Sequence, residues 1–282
     1  IAGRGVRFEN NYIPDAPCLP SRSALWSGRT GFHTGVVGHG GTAADPHVQG
    51  NRRGFRDVYD ATSMISALRK AGYYTTTVST FGERHAAWWW YAGWNEVFNC
   101  GKGGAEIADD VTPNTLDWIE KHAEEDNWFL HVNYWDPHTP YRTPKEFWNP
   151  FENEPLAEWY TEKLRQKCFG GFGSHSAQEL HWYPWELPPN RAEMFPRIAM
   201  NNLATMNDVK QWIDGYDVGI RYADFHVGKL IEALKEKGIY DDIAIIVTSD
   251  HGESQGELNV WGDHQTDDDI ICEVPLIISW PA

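Results

Sequence analysis

The chain has 282 residues, 41% hydrophobic and 23% charged, a composition typical of one large α/β domain or two small ones. Its formal net charge of -16 argues against nucleic acid and anionic membranes as partners. No apolar run approaches the roughly 20 residues that a membrane-spanning helix needs. Chemistry on an anion would therefore require a local positive centre, such as a metal ion or an arginine.

Helical and strand patterns alternate along the chain. Alternation of helices with continuous apolar strands predicts a mostly parallel central sheet with helices on both faces. In chain order the pattern predicts a helix capped by Thr62 and ended by Gly72, a strand over 73–78, a helix beginning at Asn114 or Thr115, a strand over 128–134, a helix from about Val209 to Gly238, and strands over 243–249 and 274–280.

Polar clusters follow two of these strands. Asp136-Pro-His138 comes after one, and Asp250-His251-Gly252 comes after another. Because sites in parallel α/β sheets lie at the carboxyl ends of strands, we expect both clusters there. The segment 151–207, rich in Pro, Trp, Tyr and Glu, interrupts the pattern and is interpreted as an insertion or lid, with a solvated decoration as the alternative.

The four cysteines are far apart and form no Cys-x-x-Cys pair, which argues against a zinc knuckle. The first of them begins the most specific motif, Cys18-Leu-Pro-Ser-Arg22, with Thr30-Gly31 farther on. A buried structural cysteine before a proline turn is the alternative. Three further segments accompany it in order: Asp136-Pro-His-Thr-Pro-Tyr141, Ser249-Asp-His-Gly-Glu253 and Val274-Pro-Leu-Ile-Ile-Ser-Trp-Pro281.

These motifs and their order resemble the type I, formylglycine-dependent sulfatases of the alkaline phosphatase superfamily, over essentially the whole chain. The resemblance implies an alkaline-phosphatase-like α/β/α sandwich and conversion of Cys18 to formylglycine, an aldehyde whose hydrate is the nucleophile. It also implies that Arg22 holds this nucleophile. The implied partner is a formylglycine-generating or anaerobic sulfatase-maturing enzyme.

The resemblance further implies that Asp250 and His251 bind a divalent cation beside Cys18. Calcium is the first choice for a carboxylate-rich site, with magnesium as the alternative. Taken alone, Asp250 could equally be a turn residue after a strand. His138 would contact the sulfate or protonate the leaving oxygen, whereas a lone histidine is more often structural.

The sequence departs from the family pattern in three places. The strand that normally precedes the signature, with its paired aspartate ligands, and the C-terminal subdomain are missing, so 1–282 is interpreted as a catalytic core incomplete at both ends. The usual Gly-Lys-x-His segment is replaced near Arg84 and His85, either of which could contact sulfate. His264 stands near the position of another lysine and could donate to sulfate.

The predicted function is hydrolysis of sulfate esters of a carbohydrate or small organic molecule. Two alternatives stay open: a phosphate or phosphonate ester hydrolase of the same superfamily, and a non-catalytic binding module that keeps the fold. Relative rates on paired sulfate and phosphate esters separate the first two, and metal content tests the third.

Overall fold

The computed structural model describes residues 1–46, 63–171, 173, 175–180 and 190–281. The chain divides into two compact units. The first unit consists of Ile1–Tyr134, Lys229–Gly252 and His264–Ala282, and the second consists of Trp135–Gly228 and Glu253–Asp263.

Short strands and helices alternate over the described residues, giving a mixed α/β structure. The strands are β1 (Val6–Phe8), β2 (Tyr74–Val78), β3 (Glu96–Phe98), β4 (Trp128–Val132), β5 (Ile245–Thr248), β6 (Ser254–Gln255), β7 (Trp261–Asp263) and β8 (Leu276–Ser279). The helices are α1 (Cys18–Ser27), α2 (Gly31–Thr34), α3 (Met64–Lys70), α4 (Phe81–Arg84), α5 (Ala108–His122), α6 (Glu162–Phe169), α7 (Arg191–Met194), α8 (Met206–Glu236) and α9 (Asp269–Cys272).

A parallel sheet of order β3-β2-β4 lies in the first unit. Its central strand β2 buries three consecutive threonines, a β-branched residue that suits a strand. Their polar groups are used: the Thr75 hydroxyl donates to Gly93 O, and the Thr77 hydroxyl pairs with His131 Nδ1 at 2.8 Å. These hydrogen bonds compensate for the burial of polar side chains in the strand.

The described residues do not form the predicted single, mostly parallel sheet. The first unit also contains an antiparallel sheet of order β1-β8-β5, and β6 and β7 pair as an antiparallel ribbon in the second unit. Hydrophobic periodicity locates a strand but carries no information on its direction, and β8 runs antiparallel to both neighbours. One face of β5 is open, with Ile246 58% exposed.

Two predicted helix starts differ from the structure. Thr62 lies outside the described residues, and the N-cap of α3 is Ser63, whose hydroxyl accepts from Ser66 N. The prediction that the second helix begins at Asn114 or Thr115 is wrong, because α5 begins at Ala108 and continues through Pro113. The Asp110 carboxylate accepts the Ile107 N–H at 3.1 Å, which satisfies a group at this earlier start.

The other predicted elements are present. Strands β2, β4, β5 and β8 and the long helix α8 fall within a few residues of the predicted bounds. The last turns of α8 belong to the first unit, where Leu230 and Leu234 pack with Trp118 and Ile119 of α5. Gly238 follows α8 with a φ of 74°, as a helix-ending glycine does.

The second unit has its own core, in which buried residues include Tyr141, Trp212 and Trp261. Gln255 connects Trp212 and Tyr141, because its amide accepts from Trp212 Nε1 at 2.9 Å and donates to the Tyr141 hydroxyl at 2.8 Å. The segment 151–207 belongs to this unit, and its role as an insertion or lid remains a prediction. In the described part of the chain, no helix is both long enough and apolar enough to cross a membrane.

Candidate active site

Cys18 is the first residue of α1 and is 2% exposed. Pro20 is tolerated two positions later, because the first-turn N–H groups of a helix have no intrahelical partner. The Ser21 hydroxyl donates to Asp250 O at 2.5 Å, which fixes the start of α1 against the segment after β5. The motif thus places a thiol at a helix N-terminus, where backbone N–H groups favour an anion.

Arg22, one turn into α1, holds the centre of the site. Its Nε donates to Asp250 Oδ2 at 2.7 Å, and its guanidinium also donates to the Asn133 side-chain oxygen. The same group lies over the Phe81 ring, 4.2 Å from the centroid. The planar guanidinium of arginine can donate hydrogen bonds to a carboxylate and an amide while it stacks on an aromatic ring.

Asp250 and His251 follow β5 and face the start of α1. Burial alone would raise the pKa of Asp250, but Arg22 and His251 hold the pKa of this carboxyl below its usual value. The His251 Nδ1–H donates to Gly252 O at 2.7 Å, so that Nε2 faces Cys18 Sγ at 3.1 Å. Hydrogen bonding at one ring nitrogen therefore orients the other toward the cysteine.

Gly252 makes this arrangement sterically possible. A Cβ at this position would lie 2.0 Å from Ile270 O, far inside van der Waals contact. The Gly252 N–H instead donates to Ile271 O at 2.7 Å. Close approach of two backbones, which only glycine permits, brings the Asp250-His251 segment to its position.

Three further imidazoles surround Cys18. His264 Nε2 lies 3.5 Å from Sγ, and its ring stacks on His251 with centroids 4.0 Å apart. On another side, one donor atom each from Cys18, His39 and His85 lies within 4.8 Å of the other two. The Leu19 N–H donates to His39 Nε2 at 3.3 Å, and the His39 and His85 rings are 4.6 Å apart.

These imidazoles differ in proton affinity. Burial opposes protonation of His251, but the Asp250 carboxylate and the Cys18 sulfur outweigh it and raise the pKa of this ring. Burial lowers the pKa of His85, although the Cys18 thiol beside it acts in the opposite direction. At a given pH, His251 therefore holds a proton more readily than His85 does.

The structure brings most of the predicted site residues together: Cys18, Arg22, His85, Asp250, His251 and His264. The Arg84 side chain instead packs over Gly104. His138 lies in the second unit, where its Nδ1–H donates to Thr139 O and its ring meets the edge of Trp135. The roles of all these residues remain predictions.

Asn133 and His39 are two members of the site that the motifs do not identify. Asn133 directly follows β4 and donates its N–H to Val78 O at the end of β2. Its position at the carboxyl end of a parallel strand could have identified it. His39 lies in a glycine-rich loop, and nothing in its spacing distinguishes it from a surface histidine.

A cation could be held by the trio Cys18, Asp250 and His251. Their donor atoms lie within 4.8 Å of one another, and the low pKa of Asp250 keeps its carboxylate ionised. The trio therefore fits a divalent ion. It contains one carboxylate, so calcium, which takes about 6–8 oxygen ligands, would need oxygens from beyond the trio.

The model of the sulfatase family matches residues 1–282, and the chain belongs to this family. It is 25% identical to a choline-sulfatase of Rhizobium meliloti (strain 1021), covering 100% of this chain and 57% of that protein. It is 29% identical to iduronate 2-sulfatase of Homo sapiens over 61% of this chain and 30% of that protein. The chain spans about half the length of the curated relatives it matches.

Solved structures share the fold. A protein in complex with its substrate D-glucosamine-2-N,6-O-disulfate matches 99% of this chain and 65% of its own, with a TM-score of 0.70 and 17% identity. A phosphonate monoester hydrolase from Silicibacter pomeroyi matches 100% of this chain and 62% of its own, with a TM-score of 0.66 and 20% identity. These matches show the alkaline-phosphatase-like sulfatase fold.

Proposed function

We propose that the protein hydrolyses sulfate esters of a carbohydrate or small organic molecule, using a formylglycine nucleophile derived from Cys18 and a divalent metal ion. The observation that carries the proposal is the position of Cys18, buried at the start of α1 with Asp250, His251 and His264 around it. Sulfatase relatives and the sulfated sugar bound by a structural neighbour support the substrate class.

Formylglycine at position 18 would supply a hydrated aldehyde with one hydroxyl to attack sulfur and another to release sulfate. Around it, the N–H groups of α1 and the Arg22 guanidinium favour the anionic substrate. The His251 Nδ1–H donates to Gly252 O, so Nε2, the atom that faces position 18, is the nitrogen that would ligate a cation. A cation held by Asp250 and His251, calcium or magnesium, would polarise the sulfate.

His138, His85 and His264 complete the proposed set. The His138 Nδ1–H is committed to Thr139 O, which leaves Nε2 as the atom that would exchange a proton with the leaving oxygen. His264 Nε2 lies beside the nucleophile position and would contact sulfate. We further propose that the complete protein has one mostly parallel sheet covered by helices on both faces, to which β3-β2-β4 would belong.

Phosphonate or phosphate ester hydrolysis is the second candidate. It is favoured by the likeness to phosphonate monoester hydrolases from Silicibacter pomeroyi and Agrobacterium radiobacter, which share the fold at 20% identity. The test compares kcat/KM for paired aryl sulfate and aryl phosphonate substrates on the same preparation. Faster sulfate hydrolysis supports the first proposal, and faster phosphonate hydrolysis replaces it with the second.

The nucleophile is tested by replacing Cys18 with Ala in protein co-expressed with a sulfatase-maturing enzyme. In the unsubstituted protein, we expect the mass of the peptide spanning Cys18 to match conversion of the thiol to the aldehyde. In Cys18→Ala, we expect turnover to be abolished. Cys168→Ala, which removes another buried cysteine, is the control and should keep turnover. Undiminished turnover in Cys18→Ala would refute the assigned nucleophile, and a native protein without hydrolase activity would favour the binding module.

A further inference from the structure

The unmodified Cys18 thiol is shared by two groups of donor atoms in the first unit. One group contains Asp250 and His251, the proposed cation ligands. The other contains His39 and His85, with which Cys18 forms a trio whose donor atoms lie within 4.8 Å of one another. Neither His39 nor His85 belongs to the ion pair between Asp250 and Arg22.

The second trio differs from the first in chemistry. It combines one sulfur with two imidazoles and has no carboxylate, a donor set that suits zinc and not calcium. Zinc bonds of about 2.0–2.3 Å in a tetrahedron place ligand atoms roughly 3.3–3.8 Å apart. The donor atoms of the trio lie within 4.8 Å of one another, so a pair at this upper limit would have to move about 1–1.5 Å closer to bind zinc.

The two imidazoles are held in position by the fold. The His39 ring lies against His85, with centroids 4.6 Å apart. The Leu19 N–H donates to His39 Nε2 at 3.3 Å, and zinc ligation by His39 would replace this long hydrogen bond. The His85 ring also packs on Phe81 with centroids 4.5 Å apart. The Nε2 atom of His85 is buried and makes no hydrogen bond of good geometry among the described residues, although the Cys18 thiol lies beside the ring. A ligand at this atom would satisfy it.

We propose that the protein, while Cys18 is a thiol, binds one zinc ion through Cys18, His39 and His85, with a water molecule or a further imidazole in the fourth position. This site shares the Cys18 sulfur with the proposed Asp250–His251 cation site but uses a different pair of side chains, and it requires Cys18 to be unmodified. It therefore does not rest on the proposed hydrolase activity. Zinc bound there would shield the thiolate from electrophiles, because the thiolate is both the zinc ligand and the reactive form.

The first experiment titrates zinc into the full chain, with Cys18 verified as a thiol by mass, against a chromophoric chelator. We expect one equivalent to bind, and Co²⁺ in its place to give a thiolate charge-transfer band. Cys18→Ser should abolish the band, and His39→Gln or His85→Gln should weaken zinc binding by at least about 10–100-fold. Failure of the thiol form to bind zinc overturns the proposal.

Two matched variants locate the ion. His122→Gln changes a histidine that packs on Trp118 of α5 and should leave zinc affinity unchanged. Asp250→Asn should also retain zinc binding, since its carboxylate is not in the second trio. Zinc affinity that survives both His39→Gln and His85→Gln, or that is lost only in Asp250→Asn, assigns the ion to the Asp250–His251 site and contradicts the proposal.

A second readout avoids variants that fold poorly. Cys18 in the unsubstituted chain is treated with iodoacetamide, with and without zinc, and the alkylated fraction of its peptide is measured by mass spectrometry. We expect zinc to slow alkylation of Cys18 while alkylation of the partly exposed Cys100 continues at the same rate. Equal alkylation rates of Cys18 with and without zinc would contradict the proposed site.

Discussion

Arg22 joins residues that are far apart in the sequence. Its guanidinium contacts Asp250, Asn133 and the Phe81 ring, which follow β5, follow β4 and begin α4. The Arg22 and Asp250 side chains are only 11% and 15% exposed. A buried ion pair of this kind adds little net stability over an apolar pair, but removing one partner leaves an uncompensated charge.

Replacing Arg22 with Met should therefore lower the free energy of unfolding by about 3–5 kcal/mol, because Asp250 loses its partner. Arg22→Lys keeps the charge but not the planar fork, so its loss should be smaller. Urea denaturation of both variants measures the two losses. A loss in Arg22→Met no larger than in Arg22→Lys would show that the charge of Asp250 is compensated by other groups.

Some residues of the site could be predicted from the sequence, and others could not. The residues of contiguous motifs, Cys18, Arg22, Asp250 and His251, do come together in the structure. His39 could not be predicted, because its position depends on a loop that returns to the start of α1 rather than on a local pattern. Arg84 and His85 are adjacent in sequence, and only the fold decides that His85 faces Cys18 while Arg84 packs on Gly104.

The segment that follows β5 depends on one close backbone contact, between Gly252 and Ile270. Gly252→Ala should lower the free energy of unfolding by about 1–3 kcal/mol, since its Cβ would lie 2.0 Å from Ile270 O and the backbone would have to shift. The shift would also move His251 Nε2 away from position 18. Thermal unfolding measures the first effect, and kcat/KM with the proposed sulfate ester measures the second.

Gly228→Ala is the matched control for this change. Gly228 lies inside α8, and a Cβ there meets nothing within 4 Å. Alanine should raise the free energy of unfolding by about 0.5–1 kcal/mol, because glycine loses more backbone entropy in a helix. Equal destabilisation by both substitutions would mean that contact with Ile270 O is not the cause of the Gly252→Ala effect.

Prediction of elements from the sequence succeeded where a pattern is local and long. The strand β2 and the helix α8 show continuous periodicity, and both occur near the predicted bounds. The start of α5 is not predicted, because the helix continues through Pro113 and the Asp110 carboxylate accepts the Ile107 N–H about one and a half turns before Asn114. Strand direction is not predicted, because it depends on pairing partners that can be distant in sequence, as β1 and β8 are.

The stability of the whole molecule should depend on one partly buried histidine of β4, His131. His131 lies among three tryptophan rings, with centroid distances of 5.1 Å to Trp26, 5.8 Å to Trp94 and 6.1 Å to Trp90. Its Nδ1 pairs with the Thr77 hydroxyl. Burial, followed by the charge of Arg22, lowers the pKa of His131 from 6.5 to about 3. The folded protein therefore keeps this imidazole neutral over a pH range in which the unfolded chain protonates it.

This difference sets the sign of a pH effect. Because the unfolded state binds the extra proton, the free energy of unfolding should fall as pH decreases from 6.5 towards about 3, by up to about 1.4 kcal/mol per pH unit. His131→Phe removes the titrating group, so urea unfolding of this variant should show a shallower decline over that range. His33→Gln, a change at an exposed histidine of α2, should keep the slope of the unsubstituted protein. An identical slope in His131→Phe would mean that other groups, and not the neutral imidazole among the tryptophans, cause the loss of stability in acid.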